Sequence, residues 1–239
     1  MTAWADGTVV GFDTETTGVD VDADRVVTAA LVRRDGYGTA VRSWLIDPGV
    51  EIPGEAAAIH GITTERARAF GRPPAEALEQ LAAALAAAAL RGEPVVAYNA
   101  CFDLSLLDAE LRRHGLAALP DRLGGTPLTV IDPLVLDRHL DRYRRGKRRL
   151  GDLCEHYHVS SGGLHTADVD VVATLDVLRA IVDAFPQIAA MSAAELHALQ
   201  VGAHREWATS FNEWRACQGY EGPGAETAWP VREPALVGA

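Results

Sequence analysis

Residues 9–18 read VVGFDTETTG and bring two carboxylates, Asp13 and Glu15, within two positions of each other. In a strand the side chains alternate, so Val9, Gly11, Asp13 and Glu15 share one face, and Val10 and Phe12 take the other. Two like charges on a half-buried surface repel, and each resists leaving water. A divalent cation between them would supply the compensation. The plainer account is an exposed acidic strand end before a Thr-Thr-Gly turn, with Gly18 letting the chain bend sharply away.

Two further stretches place acids at the edge of apolar segments. In VVAYNACFDLSLL, 95–107, a buried strand ends at Asn99, and Asp103 falls in the first turn of the next helix, on its core-facing side. In GGLHTADVDVVATLDVL, 162–178, a Gly-Gly pair leads to His165, and a helix follows with Asp168 and Asp170 at its start. Helix dipoles favour acids in a first turn, and histidines at helix starts are commonly surface residues. Taken singly, these positions leave ligand and capping roles open.

Composition narrows the field. The 239 residues are 48% apolar and 23% charged, enough for a buried core and against wholesale disorder. The longest alanine-rich stretch, LAAALAAAAL, has 10 residues, and no apolar leader follows a basic flank, so neither a membrane span nor a signal peptide is read. Cys101, Cys154 and Cys217 are widely spaced with no C-x-x-C pairing, which fits a reducing, cytoplasmic setting. The net charge of −11 disfavours a protein that coats duplex DNA. One block, RHLDRYRRGKRRL at 138–150, runs against it with seven Arg/Lys and a single Asp. It is either a solvated face or a phosphate track.

The elements that must position these residues follow from periodicity. Strands are expected at 8–12, 26–33, 40–46, 94–98 and 128–132, and helices over 75–91, 102–114, 133–143, 150–157 and 167–185. Strands first, then strand–helix alternation, predicts a mixed sheet flanked by helices. After Pro186, Ser192 and Glu195 form a capping box, and Leu196, Leu199, Ala203, Trp207, Phe211 and Trp214 make an apolar stripe of one added C-terminal helix. Residues 220–239 are rich in Pro and Gly and are expected to be mobile or laid along the surface. The expected division is a domain over 1–186, an amphipathic helix within 187–219 and a tail over 220–239.

Together, DTETTG, NACFD and HTADVD resemble, in order and separation, the three exonuclease motifs of the DEDDh (DnaQ-like) 3′→5′ exonucleases. AIHGIT at 58–63 resembles the segment between the first two motifs in bacterial proofreading subunits. The resemblance implies an α/β, RNase H-like fold over about residues 6–186. Carried over by position, Asp13, Glu15, Asp103 and Asp170 match the four acids, and His165 matches the histidine. The H-x-A-x-x-D pattern selects Asp170 over Asp168.

That family uses two divalent cations, Mg²⁺ or Mn²⁺, which suit hard oxygen ligands and act on the attacking and leaving oxygens of phosphoryl transfer. The resemblance implies that Asp13 bridges both ions, that Glu15 and Asp170 complete one site, and that Asp103 acts largely through water. His165 is implied as the general base, releasing nucleoside 5′-monophosphates from a 3′ end. Thr14, Thr16, Thr17, His60, Asn99 and Phe102 are the implied substrate contacts, Phe102 being equally readable as a core residue. The partner implied is the 3′ end of single-stranded or frayed nucleic acid, with DNA favoured; a DNA polymerase is a candidate second partner, and no membrane is expected. An RNA-trimming enzyme of the same family and a non-catalytic polymerase-associated module are the alternatives, and the oligomeric state is unread.

Overall fold

A computed structural model describes residues 4–160 and 166–233. Its five strands are β1 (Val9–Thr16), β2 (Val26–Asp35), β3 (Gly38–Leu45), β4 (Val95–Val96) and β5 (Val130–Ile131). They lie in the order β3-β2-β1-β4-β5. β1 pairs antiparallel with β2 and β2 with β3, whereas β1–β4 and β4–β5 are parallel, so the sheet is mixed as the strand–helix pattern predicts.

The helices are α1 (Gly54–His60), α2 (Thr64–Phe70), α3 (Pro74–Leu90), α4 (Ala100–Arg113), α5 (Leu119–Leu123), α6 (Pro133–Leu140), α7 (Leu150–His156), α8 (Ala167–Ala184), α9 (Pro186–Ala189) and α10 (Ala193–Cys217). The long helices follow the apolar period. On α3, Leu78, Leu81 and Leu85 are fully buried, while Leu90 at the helix end is exposed. The short α1, α2, α5 and α9 are absent from the sequence reading because one or two turns carry too little periodicity. α2 still shows its start: Thr63 accepts a bond from the Arg66 N–H.

Two cores cover the two faces of the sheet. Val10 and Phe12 of β1 pack with Leu78, Leu81, Leu104 and Leu107 of α3 and α4. Val9, on the alternate face, packs with Val171, Leu175 and Leu178 of α8. The alternation read from VVGFDTETTG is therefore realised. β1 also runs further than the apolar run 8–12, through both acids to Thr16.

The parallel strands β4 and β5 are shorter than their apolar runs. Among the described residues no sixth strand continues the sheet beyond β5; α10 covers that edge instead. The buried Gln200 amide donates to the Val130 carbonyl at 3.2 Å and accepts from the Asp132 N–H at 2.7 Å. Leu196 of α10 joins the core on the α8 side, and Trp229 beyond it joins the other. The boundary at 186 separates the motifs from the last helix in sequence, not in packing. Of the two expectations for the tail, residues 220–233 are laid along the surface: Asn212 holds the Ala225 backbone, and the Arg232 N–H donates to Ser105.

Candidate active site

The acid pair sits on the α8 face of β1, and a glycine lets the partner helix close over it. A Cβ on Gly11 would lie 2.2 Å from Val171 Cγ1 and 3.3 Å from Leu175. Any other residue there would push α8 away from the strand. With glycine, α8 brings Asp170 to Asp13 and Glu15, and one oxygen from each of the three lies within 4.8 Å of the others. Asp168, two residues earlier, is exposed and outside this group.

Asp103 approaches from the other face. It is 3% exposed in the first turn of α4, where its Oδ1 accepts both the Thr14 N–H at 3.0 Å and the Thr14 hydroxyl at 2.6 Å. The structure thus gives Thr14, expected among the substrate contacts, a different use: its side chain is buried and committed to Asp103.

The acids of the cluster raise one another's proton affinity. Burial, then Asp103, Glu15 and Asp170, hold the Asp13 carboxyl well above the usual carboxylate range. Glu15 is pushed up to about 7 by burial and by Asp170. Asp103 also reaches about 7, because burial outweighs the Thr14 hydrogen bonds that favour its charged form. Among the described residues the donors that converge here are carboxylate oxygens, a set that fits a hard divalent cation.

A second buried acid, unnoticed in the sequence, holds the frame. Asp132 is 1% exposed; its carboxylate accepts the N–H groups of Asn99, Ala100 and Leu134 at 3.1, 2.9 and 2.9 Å. One side chain therefore caps α6 and anchors the start of α4, four residues before Asp103. Asp-Pro at 132–133 is a helix-start signal that could have marked it. Gln200 had no such signal, since its partner is a sheet edge far away in sequence.

The other expected substrate contacts divide into two groups. His60 is buried at the end of α1, its Nδ1 accepting from the Ile62 N–H at 3.2 Å. Its Nε2 is buried and makes no well-formed hydrogen bond, and the Thr16 backbone is the polar group acting on the ring. His60 and Thr16 are thus brought together. Asn99 is exposed, with a left-handed backbone at φ 59°, and with Phe102 it lines a groove at the start of α4. Phe102 is half-buried and also packs on the core. Thr17 is turned inward, donating to Asp24 at 2.8 Å. Gly18 has no left-handed backbone; a Cβ there would meet the Asp24 carboxylate at 2.5 Å. Its role is to admit Asp24 rather than to bend the chain. His165, the expected general base, lies outside the described residues.

Two arginines of the basic block turn inward, while Arg142, Arg145, Lys147 and Arg149 are exposed. Arg144 and Arg148 both bind the fully buried Asp137, which also accepts the Tyr157 hydroxyl at 2.9 Å. These two arginines staple the loop after α6 and are not a phosphate track. Cys101 is packed, with its thiol pushed by burial to about 11 and set against the Ser105 hydroxyl and the Ala228 carbonyl. No described helix is long and apolar enough to cross a membrane.

Comparison with known proteins agrees with this geometry. A PolC-type DNA polymerase III of Lacticaseibacillus paracasei is 30% identical over 173 residues, covering 72% of this chain and 11% of the polymerase. Exonuclease I of E. coli, solved with a dT13 oligonucleotide, superposes with a TM-score of 0.64 at 20% identity, over 76% of this chain and 42% of that one. Exonuclease I of Methylocaldum szegediense gives a TM-score of 0.65 at 24% identity, over 83% and 43%. The chain thus spans about a tenth of the polymerase and under half of either exonuclease. The family model described as "Exonuclease", RNase_T, matches residues 10–178, which takes in Asp13, Glu15, Asp103, His165 and Asp170. The chain belongs to this exonuclease family, as a domain of the DnaQ-like 3′→5′ type.

Proposed function

We propose that the protein is a metal-dependent 3′→5′ exonuclease that removes nucleoside 5′-monophosphates from single-stranded or frayed DNA. The observation that carries this reading is the convergence of Asp13, Glu15 and Asp170 within 4.8 Å, with pKa values of Asp13 and Glu15 raised by burial and mutual repulsion. Such a group is costly without a cation and useful with one. Asp13, on which all three neighbouring acids act, would help hold two Mg²⁺ or Mn²⁺ ions. Glu15 and Asp170 complete the set, and Asp103 adds charge from across β1. When bound, such cations stabilise the charge that develops on the attacking and leaving oxygens of an in-line displacement.

The chain's own groups do the rest. His165 takes the proton of the attacking water. The water oxygen bonds to phosphorus as the bond from phosphorus to the 3′ oxygen breaks, and the departing oxygen takes a proton from solvent, leaving a free 3′ hydroxyl on the shortened strand. His60 and the Thr16 backbone hold the terminal nucleotide, and Asn99 and Phe102 border the strand that enters. DNA is favoured because the relatives include PolC-type DNA polymerases and a neighbour solved with a thymidine oligonucleotide. A polymerase partner rests on the first of these alone. The test is digestion of matched 3′-labelled DNA and RNA oligonucleotides, single-stranded and duplex, with Mg²⁺, Mn²⁺ or EDTA. Mononucleotide release from DNA that EDTA abolishes is expected. Survival of both polymers under both metals would refute the reading.

A further inference from the structure

Outside the matched residues, α10 carries a run of rings that the nuclease site does not use. Trp207 and Phe211 stack with centroids 5.4 Å apart and planes at 15°, and Phe211 and Trp214 follow at 5.9 Å and 29°. Steps of four and three positions are each about one helical turn, so the ladder runs along the helix for about 10 Å. Trp214 is 51% exposed, and Trp207 and Phe211 are half-buried. Covering core cannot be their whole purpose.

The wall opposite the ladder is basic. The Arg138 guanidinium lies 3.6 Å from the centre of the Trp207 ring. Arg142 pairs with Glu206 at 3.1 Å, but the two side chains are 57% and 63% exposed, so the pair is weak and open to exchange for a phosphate. Glu206 is the acid that lines this groove.

The ladder also connects to the nuclease site. Arg138 and Trp207 line the groove along Phe211 and Trp214, and they line as well the groove bordered by Asn99 and Phe102. On the wall of that second groove His204 is 7% exposed. Its Nε2 donates to the Glu226 carbonyl at 2.9 Å, which leaves Nδ1 an acceptor with no partner.

We propose that Trp207, Phe211 and Trp214 form a stacking platform for the single strand upstream of the 3′ end. Aromatic faces with flanking arginines are what sequence-independent single-strand binding requires. Bases would lie against the exposed side of the ladder at Phe211 and Trp214, Arg142 would face the backbone with Arg138 held on Trp207, and the strand would pass Phe102 toward Asp13. The proposal rests on the nuclease reading for its direction, not for its existence.

The test separates the two. Tryptophan fluorescence of the full chain in EDTA is titrated with thymidine and uridine oligomers of about sixteen nucleotides and with dinucleotides. Stacking predicts quenching and tight binding for the long oligomers only. Trp214→Ala, an exposed site, and Phe211→Leu, which keeps apolar bulk, should each weaken long-oligomer binding by about fivefold or more. In Mg²⁺, wild type should prefer long oligomers over the p-nitrophenyl ester of thymidine 5′-monophosphate, and both variants should lose that preference through KM. If wild type cuts neither substrate, the nuclease reading fails, while length-dependent quenching still supports the platform. Affinity unaffected by either variant, or independent of oligomer length, overturns the platform. So does a ladder whose loss changes self-association or binding to a polymerase subunit but leaves oligomer affinity intact.

Discussion

Thr14 and Asp103 join the first and second motifs across the sheet: one carboxylate oxygen takes both the backbone N–H and the hydroxyl of Thr14. The strand that presents Asp13 to one face thereby fixes Asp103 on the other. Thr14→Val keeps the branched shape and loses the hydroxyl bond. Loss of such a supporting contact typically costs about 10–100-fold in metal affinity or activity. Calorimetric Mn²⁺ titration and oligonucleotide cleavage should both show the drop, and Thr14→Ser should recover most of it. A Val variant equal to wild type in both would contradict the assignment.

The raised carboxyls make metal-free stability depend on pH. Glu15 and Asp103 titrate at about 7 in the fold and near the ordinary carboxylate value when unfolded. Between these values the native state holds protons that the unfolded state has released, so stability falls as pH rises from about 4 to 7. Melting temperature in EDTA should therefore decline across that window, and Mg²⁺ should stabilise most at its upper end. A Mg²⁺ effect that is as large at pH 5 as at pH 8 would contradict this.

Gly11 sets the distance between β1 and α8. Gly11→Ala places a methyl group 2.2 Å from Val171 Cγ1. Overpacking of this kind costs about 1–3 kcal/mol, and here it also moves Asp170. Loss of both thermal stability and metal affinity is expected, with Val171→Ala restoring part of each in the double variant. Additive losses in the double variant would mean that the two residues are not coupled.

Gln200 ties α10 to the acid that anchors α4. Gln200→Leu leaves the Asp132 N–H and one bond of the Val130 carbonyl unmade, at a cost of about 1–3 kcal/mol. A lower melting temperature and reduced cleavage are expected together. Removal of residues 187–239 would add the loss of buried Leu196 and Trp229 and should prevent native folding, read by circular dichroism and by thermal melting. A truncated protein with a native melt would show that α10 is dispensable to the core.

Much of this was legible in the sequence because it is local. Period-2 alternation put Asp13 and Glu15 on the face of Val9, and apolar spacing placed α3, α4, α8 and α10. The motif spacing chose Asp170, which helical projection alone could not do. What stayed hidden depends on partners distant in the chain. Nothing near Gly11 announces Val171, nothing near Thr14 announces Asp103, and the arginines of 138–150 gave no sign that a buried Asp137 would absorb two of them. Gly18 looked like a bend because glycines often are, whereas its neighbour Asp24 explains it.

The central claim is that the cluster around Asp13 exists to hold the cations of a 3′→5′ nuclease. It is tested most directly by cleavage of a 3′-labelled single-stranded DNA oligonucleotide by wild type and Asp13→Asn, in Mg²⁺ and in EDTA. Wild type should release labelled mononucleotide in Mg²⁺ and nothing in EDTA. Asp13→Asn should be inactive in both, while its metal-free melting temperature at pH 8 equals or exceeds that of wild type, since one repelling charge is gone. Cleavage by Asp13→Asn above a few per cent of the wild-type rate, or wild-type cleavage that persists in EDTA, would contradict it.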